Sequence, residues 1–280
     1  MAGEKILRAN GVDLCVQTFG RRRDPAILLI HGAAASMLAW EDEFCRRLAA
    51  GSCFVIRYDH RDTGRSVSYP PGRPGYGMRD LMEDAIGLLD ALELPHAHLV
   101  GRSMGGGLVM LAALEHPKRV ASLTLMATSP GGDGLPAMSK DFLAFVSNPR
   151  QPDWSDRDAA VEHVLTMLKI MAGPARLDVK AMRPLIAHEL ARTRNVASSQ
   201  INHFAMDTGT PIRPRLGEIR VPTLILHGEA DPVFPLGHAQ AMEREIPGAR
   251  LVVLKKTGHL VQAPNWRVVV PAIWEHTAAR

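Results

Sequence analysis

Gly101-Arg102-Ser103-Met104-Gly105 fits the pattern G-x-S-x-G. A serine hydroxyl is a weak nucleophile until a neighbouring base takes its proton, so what surrounds the match decides its meaning. It follows the apolar run Ala97 to Val100 directly and opens a helical segment, Met104 to Glu115. A nucleophile elbow needs that strand–turn–helix setting. Its strained turn lifts the serine Oγ clear of the sheet and tolerates only small residues two places before and after. Gly101 and Gly105 supply them, and Gly106 and Gly107 extend the close approach.

Of the twelve histidines, His259 occupies the slot of a general base. It follows the last strand candidate, after Lys256-Thr257-Gly258, and precedes the final helix. His116 and His276 read as helix ends, and His60, His163, His188, His203 and His238 have no placed partner in the sequence. The imidazolium formed on proton transfer must be oriented by an acid. Asp231, just past the strand Thr223 to Leu226, is the first choice; Glu229 lies closer to the strand, and Asp133 is a fallback. The chain order Ser103, Asp231, His259 is the one that accompanies a G-x-S-x-G elbow. Acyl transfer also needs donors for the tetrahedral oxyanion. Met104 offers one backbone N–H, and the loop His31-Gly32-Ala33-Ala34 offers a second from Ala33, with His31 bracing the loop.

Positioning these groups requires an α/β scaffold. Short apolar runs at Ala26–Ile30, Cys53–Tyr58, Ala97–Val100 and Ser122–Met126 suit strands buried on both faces. Helical segments lie between them: Ser36 to Leu48, N-capped by Ser36, then Met78 to Leu92 and Met104 to Glu115. Strand and helix in alternation predict a mostly parallel sheet flanked by helices. The alternation stops at Ser129. From there to Arg215 the sequence shows only helical candidates, around Ser139–Ser147, Asp156–Ala172 and Val179–Thr193. Strands resume at Thr223–Leu226 and Arg250–Leu254, and a helix closes the chain at about 265–277. The expected organisation is therefore a core of residues 1–128 and 216–280 with a helical cap (lid) of 129–215. Phe142, Phe145, Trp154, Met167, Met171 and Phe204 in the cap, with Phe234 in the core, are the candidate pocket wall, and methionine-rich walls adapt to bulky apolar ligands.

Composition narrows the function class. With 46% apolar and 22% charged residues the chain reads as an ordinary globular protein. The net charge of +4 is scattered, which excludes a nucleic-acid footprint. No apolar run approaches ~18 residues, so no membrane span is expected. Three cysteines without C-x-x-C spacing, and no leader pattern in the first ten residues, predict a reduced cytoplasmic protein. No histidine or carboxylate set has metal spacing, and Gly105-Gly106-Gly107 lacks the dinucleotide fingerprint. No cofactor is expected, the partner is a small-molecule ester, and the sequence leaves the oligomeric state open.

Taken together, H-G at 31–32, Asp59-His60-Arg61-Asp62-Thr63-Gly64-Arg65-Ser66, G-R-S-M-G-G at 101–106, the Asp231 segment and G-H at 258–259 resemble the α/β-hydrolase superfamily over the whole chain. R-Y-D-H-R-D-T-G-R-S at 57–66 and W-E-D-E-F-C-R-R-L at 40–48 are similar to the aclacinomycin methylesterase group, which removes a methyl ester from anthracycline polyketides. That resemblance implies a serine hydrolase with the triad Ser103, Asp231 and His259 and oxyanion donors Ala33 and Met104. One departure is visible: the loop reads H-G-A-A-A-S, where the methylesterases carry a glycine-rich version without the histidine. The same triad also serves carbon–carbon bond hydrolases and cofactor-free perhydrolases (haloperoxidases), and some proteins of this fold only bind small molecules. Dehalogenases and epoxide hydrolases use an aspartate where this chain has Ser103.

Overall fold

The computed structural model describes residues 3–148 and 151–278; residues 1–2 and 279–280 of the expected core and 149–150 of the expected cap lie outside them. Eight strands form one sheet: β1 (Lys5–Ala9), β2 (Val12–Phe19), β3 (Ala26–Ile30), β4 (Phe54–Tyr58), β5 (Ala97–Arg102), β6 (Val120–Met126), β7 (Thr223–Gly228) and β8 (Arg250–Leu254). Their spatial order is β1-β2-β4-β3-β5-β6-β7-β8. From β4 to β8 every neighbouring pair is parallel, whereas β1 and β2 add an antiparallel edge. The sequence reading missed β1 and β2. The edge strand β1 is mostly exposed, and a charged edge strand resembles a polar terminus.

Strand periodicity assigns the two faces of the sheet. Leu28 and Ile30 of β3 pack into one apolar cluster with α2 (Met78–Ala91), α3 (Met104–Glu115) and α8 (Gly237–Glu245). Ile27 and Leu29 pack into the other with α1 (Asp42–Ala50) and α9 (Trp266–Ala278). Here the helix expected over Ser36–Leu48 divides. Ser36 caps only a short 3-10 turn, Met37–Ala39, and α1 starts afresh at Asp42. The break frees the Trp40 carbonyl to accept from the buried Arg57 guanidinium, which also pairs with Asp42. Helix α8 was not foreseen.

Between β6 and β7 the described residues hold four α-helices and no strand: α4 (Lys140–Val146), α5 (Arg157–Ala172), α6 (Val179–Arg192) and α7 (Val196–Ala205). Asp156, Asp178 and Asn195 cap the last three, each accepting from a first-turn N–H. Helices α5 and α6 share a small core of their own around Val161, Leu165 and Ile186. The unpredicted α7 behaves differently. Its Ser198, Asn202 and His203 are buried and hydrogen-bonded to loops of the sheet domain.

Candidate active site

Strand β5 delivers Ser103 into a turn with φ 54° and ψ −122°, immediately before α3. That backbone is costly for a non-glycine residue and is held by its surroundings: the Ser103 N–H donates to the Met126 carbonyl at 3.0 Å, and its carbonyl accepts from the Thr128 hydroxyl at 2.7 Å. The flanking glycines are required by space. A Cβ on Gly101 would lie 2.3 Å from the Gly105 carbonyl oxygen, and one on Gly105 would lie 2.3 Å from that of Ile30. As first residue of α3, Met104 has an N–H that precedes the helical ladder and stands at the positive end of the helix dipole.

The loop after β3 runs beside this turn. A Cβ built on Gly32 would meet the Ser103 Cβ at 3.1 Å and its Oγ at 3.5 Å. Ala33 lines the cavity that Ser103 also lines. His31 is fully buried beneath, its ring 4.1 Å from that of His60.

Past β7, Asp231 is buried in a turn that satisfies one carboxylate oxygen with the N–H groups of Val233 and Phe234, at 2.8 and 2.9 Å. The other oxygen receives His259 Nδ1 at 2.8 Å. Burial acts to raise the Asp231 pKa, but attraction to His259, its hydrogen bond, His227 and the Phe234 N–H outweigh burial and hold it below the usual carboxylate value. Glu229 is spent on Lys255 at the surface, and Asp133 is exposed, so neither alternative acid meets His259. With Nδ1 engaged, His259 Nε2 is left buried and unpartnered among the described residues, and His259 lines the same cavity as Ser103. Among the described residues Ser103 and His259 are not hydrogen-bonded to each other, and catalytic bonds of this kind are often long without substrate. The His259 ring is positioned from two sides. Phe234 packs edge-on at 5.5 Å, and the His259 N–H donates to the Met171 carbonyl at 2.8 Å, in the last turn of α5.

The cavity has a volume of about 520 Å³, in the range of small-molecule sites. Met167 and Met171 line it, as the sequence suggested, together with Val164, Leu168, Met182 and Ile186. The other five expected wall residues do not. Phe142 is buried elsewhere, Phe145 and Trp154 pack on His163 at 5.0 and 5.2 Å, Phe204 is 66% exposed, and Phe234 buttresses His259. Aromatic content told which segment forms the wall but not the helix face. The i, i+4 stripe Met182, Ile186 and Leu190 of α6 carried the signal that was passed over. Arg102 was passed over too. It lines the cavity, with its guanidinium stacked 5.0 Å from the Trp40 ring, and burial lowers its pKa against the attraction of Glu189 and Glu41.

A family model described as the alpha/beta hydrolase fold matches residues 25–265. The chain belongs to the α/β-hydrolase family. It is 32% identical, over 98% of both chains, to the rhodomycin D methylesterase DauP of Streptomyces sp. (strain C5). It is 27% identical to a 2-hydroxy-6-oxo-6-phenylhexa-2,4-dienoate hydrolase of Burkholderia cepacia, over 91% of this chain and 84% of that one. Among solved structures, the esterase RhEst1 of Rhodococcus sp. ECU1013 superposes with a TM-score of 0.80 over 99% of each chain at 20% identity, a likeness of fold. This α/β hydrolase thus has esterase relatives across its full length.

Proposed function

We propose that this α/β hydrolase cleaves a carboxylic ester through an acyl-enzyme on Ser103, and that its substrate is a bulky apolar small molecule such as a polyketide methyl ester. Ser103 Oγ attacks the ester carbonyl while His259 Nε2 takes its proton. Asp231 holds the imidazole in the tautomer with Nδ1–H and stabilises the imidazolium. The Ala33 and Met104 N–H groups receive the oxyanion; loss of one such donor typically costs about 3 kcal/mol. Collapse expels the alcohol, methanol for a methyl ester, protonated by His259. Water then attacks the acyl-enzyme with His259 again as base, releasing the acid and free Ser103. Helices α4 to α6 serve as the lid.

The observation that carries this reading is the Asp231–His259 bond at 2.8 Å, which leaves an unpartnered Nε2 at the cavity that Ser103 lines. The methylesterase relative and the apolar α5–α6 wall support the substrate class. The test is hydrolysis of esters, from short p-nitrophenyl esters to the methyl ester of a polycyclic aromatic acid, by the wild type and Ser103→Ala. Preference for the polycyclic ester with an inactive Ser103→Ala upholds both parts. Turnover of small activated esters alone overturns the substrate class, and equal activity of the two proteins overturns the mechanism. A vinylogous 1,5-diketone in the same panel tests carbon–carbon cleavage, the reaction class suggested by the Burkholderia relative's name.

A further inference from the structure

The loop that carries Ala33 is gripped along its backbone by side chains from outside it. His60 Nε2–H donates to the His31 carbonyl at 3.2 Å, Glu189 of α6 accepts the Ser36 N–H at 2.6 Å, and Asp59 accepts that of Met37 at 2.8 Å. Ala34 is held at both its N–H and its carbonyl. Its N–H donates to His203 Nδ1 at 3.1 Å, and its carbonyl accepts from Gln200 Nε2 at 3.0 Å. Residues 200 and 203 are one turn apart on the same face of α7. Ala34 needs holding, because its φ of 57° is left-handed and unfavourable for alanine by about 1 kcal/mol or more.

His203 is itself fixed. Its Nε2–H donates to the Arg61 carbonyl at 3.0 Å, so a single neutral tautomer serves both bonds. Its neighbour Asn202 donates to Asp62 at 2.8 Å and accepts from the Gly72 N–H at 2.7 Å. Asp62 also accepts from the Tyr76 hydroxyl and the Tyr69 N–H. The segment D-H-R-D-T-G-R-S at 59–66 thus braces the loop after β3 through Asp59 and His60 and docks α7 through Arg61 and Asp62.

We infer that His203 and Gln200 are positioning residues for the oxyanion loop: from α7 they hold both sides of Ala34 and so set the direction of the adjoining Ala33 N–H. The inference rests on the proposed role of Ala33 as an oxyanion donor. A positioning role of this kind acts on the transition state more than on substrate binding, because the oxyanion is absent from the ground state.

The experiment compares wild type, His203→Phe, His203→Asn, Gln200→Ala and Ser103→Ala, measuring kcat and KM on one ester, thermal midpoint, and affinity for a trifluoromethyl ketone. That probe forms an oxyanion on the serine. Phenylalanine keeps the ring and loses both hydrogen bonds; asparagine keeps an acceptor near the Nδ1 position. For His203→Phe, kcat and trifluoromethyl ketone affinity are expected to fall together by about tenfold to a hundredfold, with KM within about threefold of wild type. His203→Asn should recover most of that loss, and Gln200→Ala should show a smaller loss of the same pattern. If His203→Phe does not fold, Gln200→Ala decides. The inference is overturned if the folded His203→Phe, or Gln200→Ala in its place, keeps kcat and inhibitor affinity, or if KM alone changes. An inactive Ser103→Ala beside unaffected clamp variants removes this inference only. A fully active Ser103→Ala removes the proposed mechanism beneath it.

Discussion

Asp231 spends one carboxylate oxygen on two backbone N–H groups and the other on His259, so the ring it orients has one free nitrogen and one direction to point. Substituting asparagine keeps the size and most of the turn but presents an amide where a carboxylate accepted a hydrogen bond. Asp231→Asn is expected to lower kcat by about ten thousandfold with the fold intact, as the wrong tautomer does elsewhere. Steady-state kinetics beside a thermal melt checks this; a loss of less than about tenfold would show that His259 does not depend on Asp231. At the cavity wall, Met171→Ala shortens a lining side chain while leaving the Met171 carbonyl that holds His259. It is expected to raise KM for a bulky apolar ester by about tenfold, from lost burial of roughly 1–2 kcal/mol, with little change for p-nitrophenyl acetate.

At the scale of elements, the candidate base depends on where α5 ends. The His259 N–H bonds to Met171, and Gly258 touches the end of that helix: a Cβ there would lie 2.4 Å from the Ala172 carbonyl oxygen and 2.6 Å from that of Met171. Both obstacles are backbone, so Gly258→Ala must push the helix and the His259 loop apart. We expect about 1–3 kcal/mol less stability in urea and a fall in kcat of tenfold or more. Wild-type values for both would show that the two elements are not coupled. Much of this arrangement was legible beforehand. The elbow, the strand runs of β3 to β8 and the slots of Asp231 and His259 follow from apolar continuity and turn chemistry, which are local signals. What escaped was decided by tertiary contact. Helix α7 carries polar Ser198, Asn202 and His203 inward, opposite to an apolar stripe, because the loops it meets offer hydrogen-bond partners. The cavity wall escaped for the same reason, since composition does not reveal which face of α5 or α6 looks toward Ser103.

For the whole molecule, the buried histidines make stability depend on pH. His31, His60 and His203 sit together at and beneath the loop after β3, with ring separations of 4.1 and 5.8 Å. Burial holds all three neutral. The His31 pKa is pushed down to about 3, that of His203 to about 4, and that of His60 well below its usual value. In the unfolded chain each protonates near 6.5, so between pH 6.5 and about 4 the unfolded state binds more protons than the folded one. Stability therefore falls as pH falls through this window, by up to about 1.4 kcal/mol per pH unit for each histidine, and levels off only below the folded-state values. Urea midpoints measured from pH 7 to pH 4 should decline throughout; a flat profile would mean that the cluster is already charged or solvated.

The central claim is that Ser103 is the nucleophile, and the most direct measurement is active-site labelling with a fluorophosphonate, followed by intact-mass and peptide mass spectrometry alongside residual ester hydrolysis. The expected result is one phosphonyl group per chain, located on the peptide carrying Ser103, with activity lost in proportion and no labelling of Ser103→Ala. Full ester hydrolysis after exposure to the reagent, or loss of activity with the label on another residue, would contradict it.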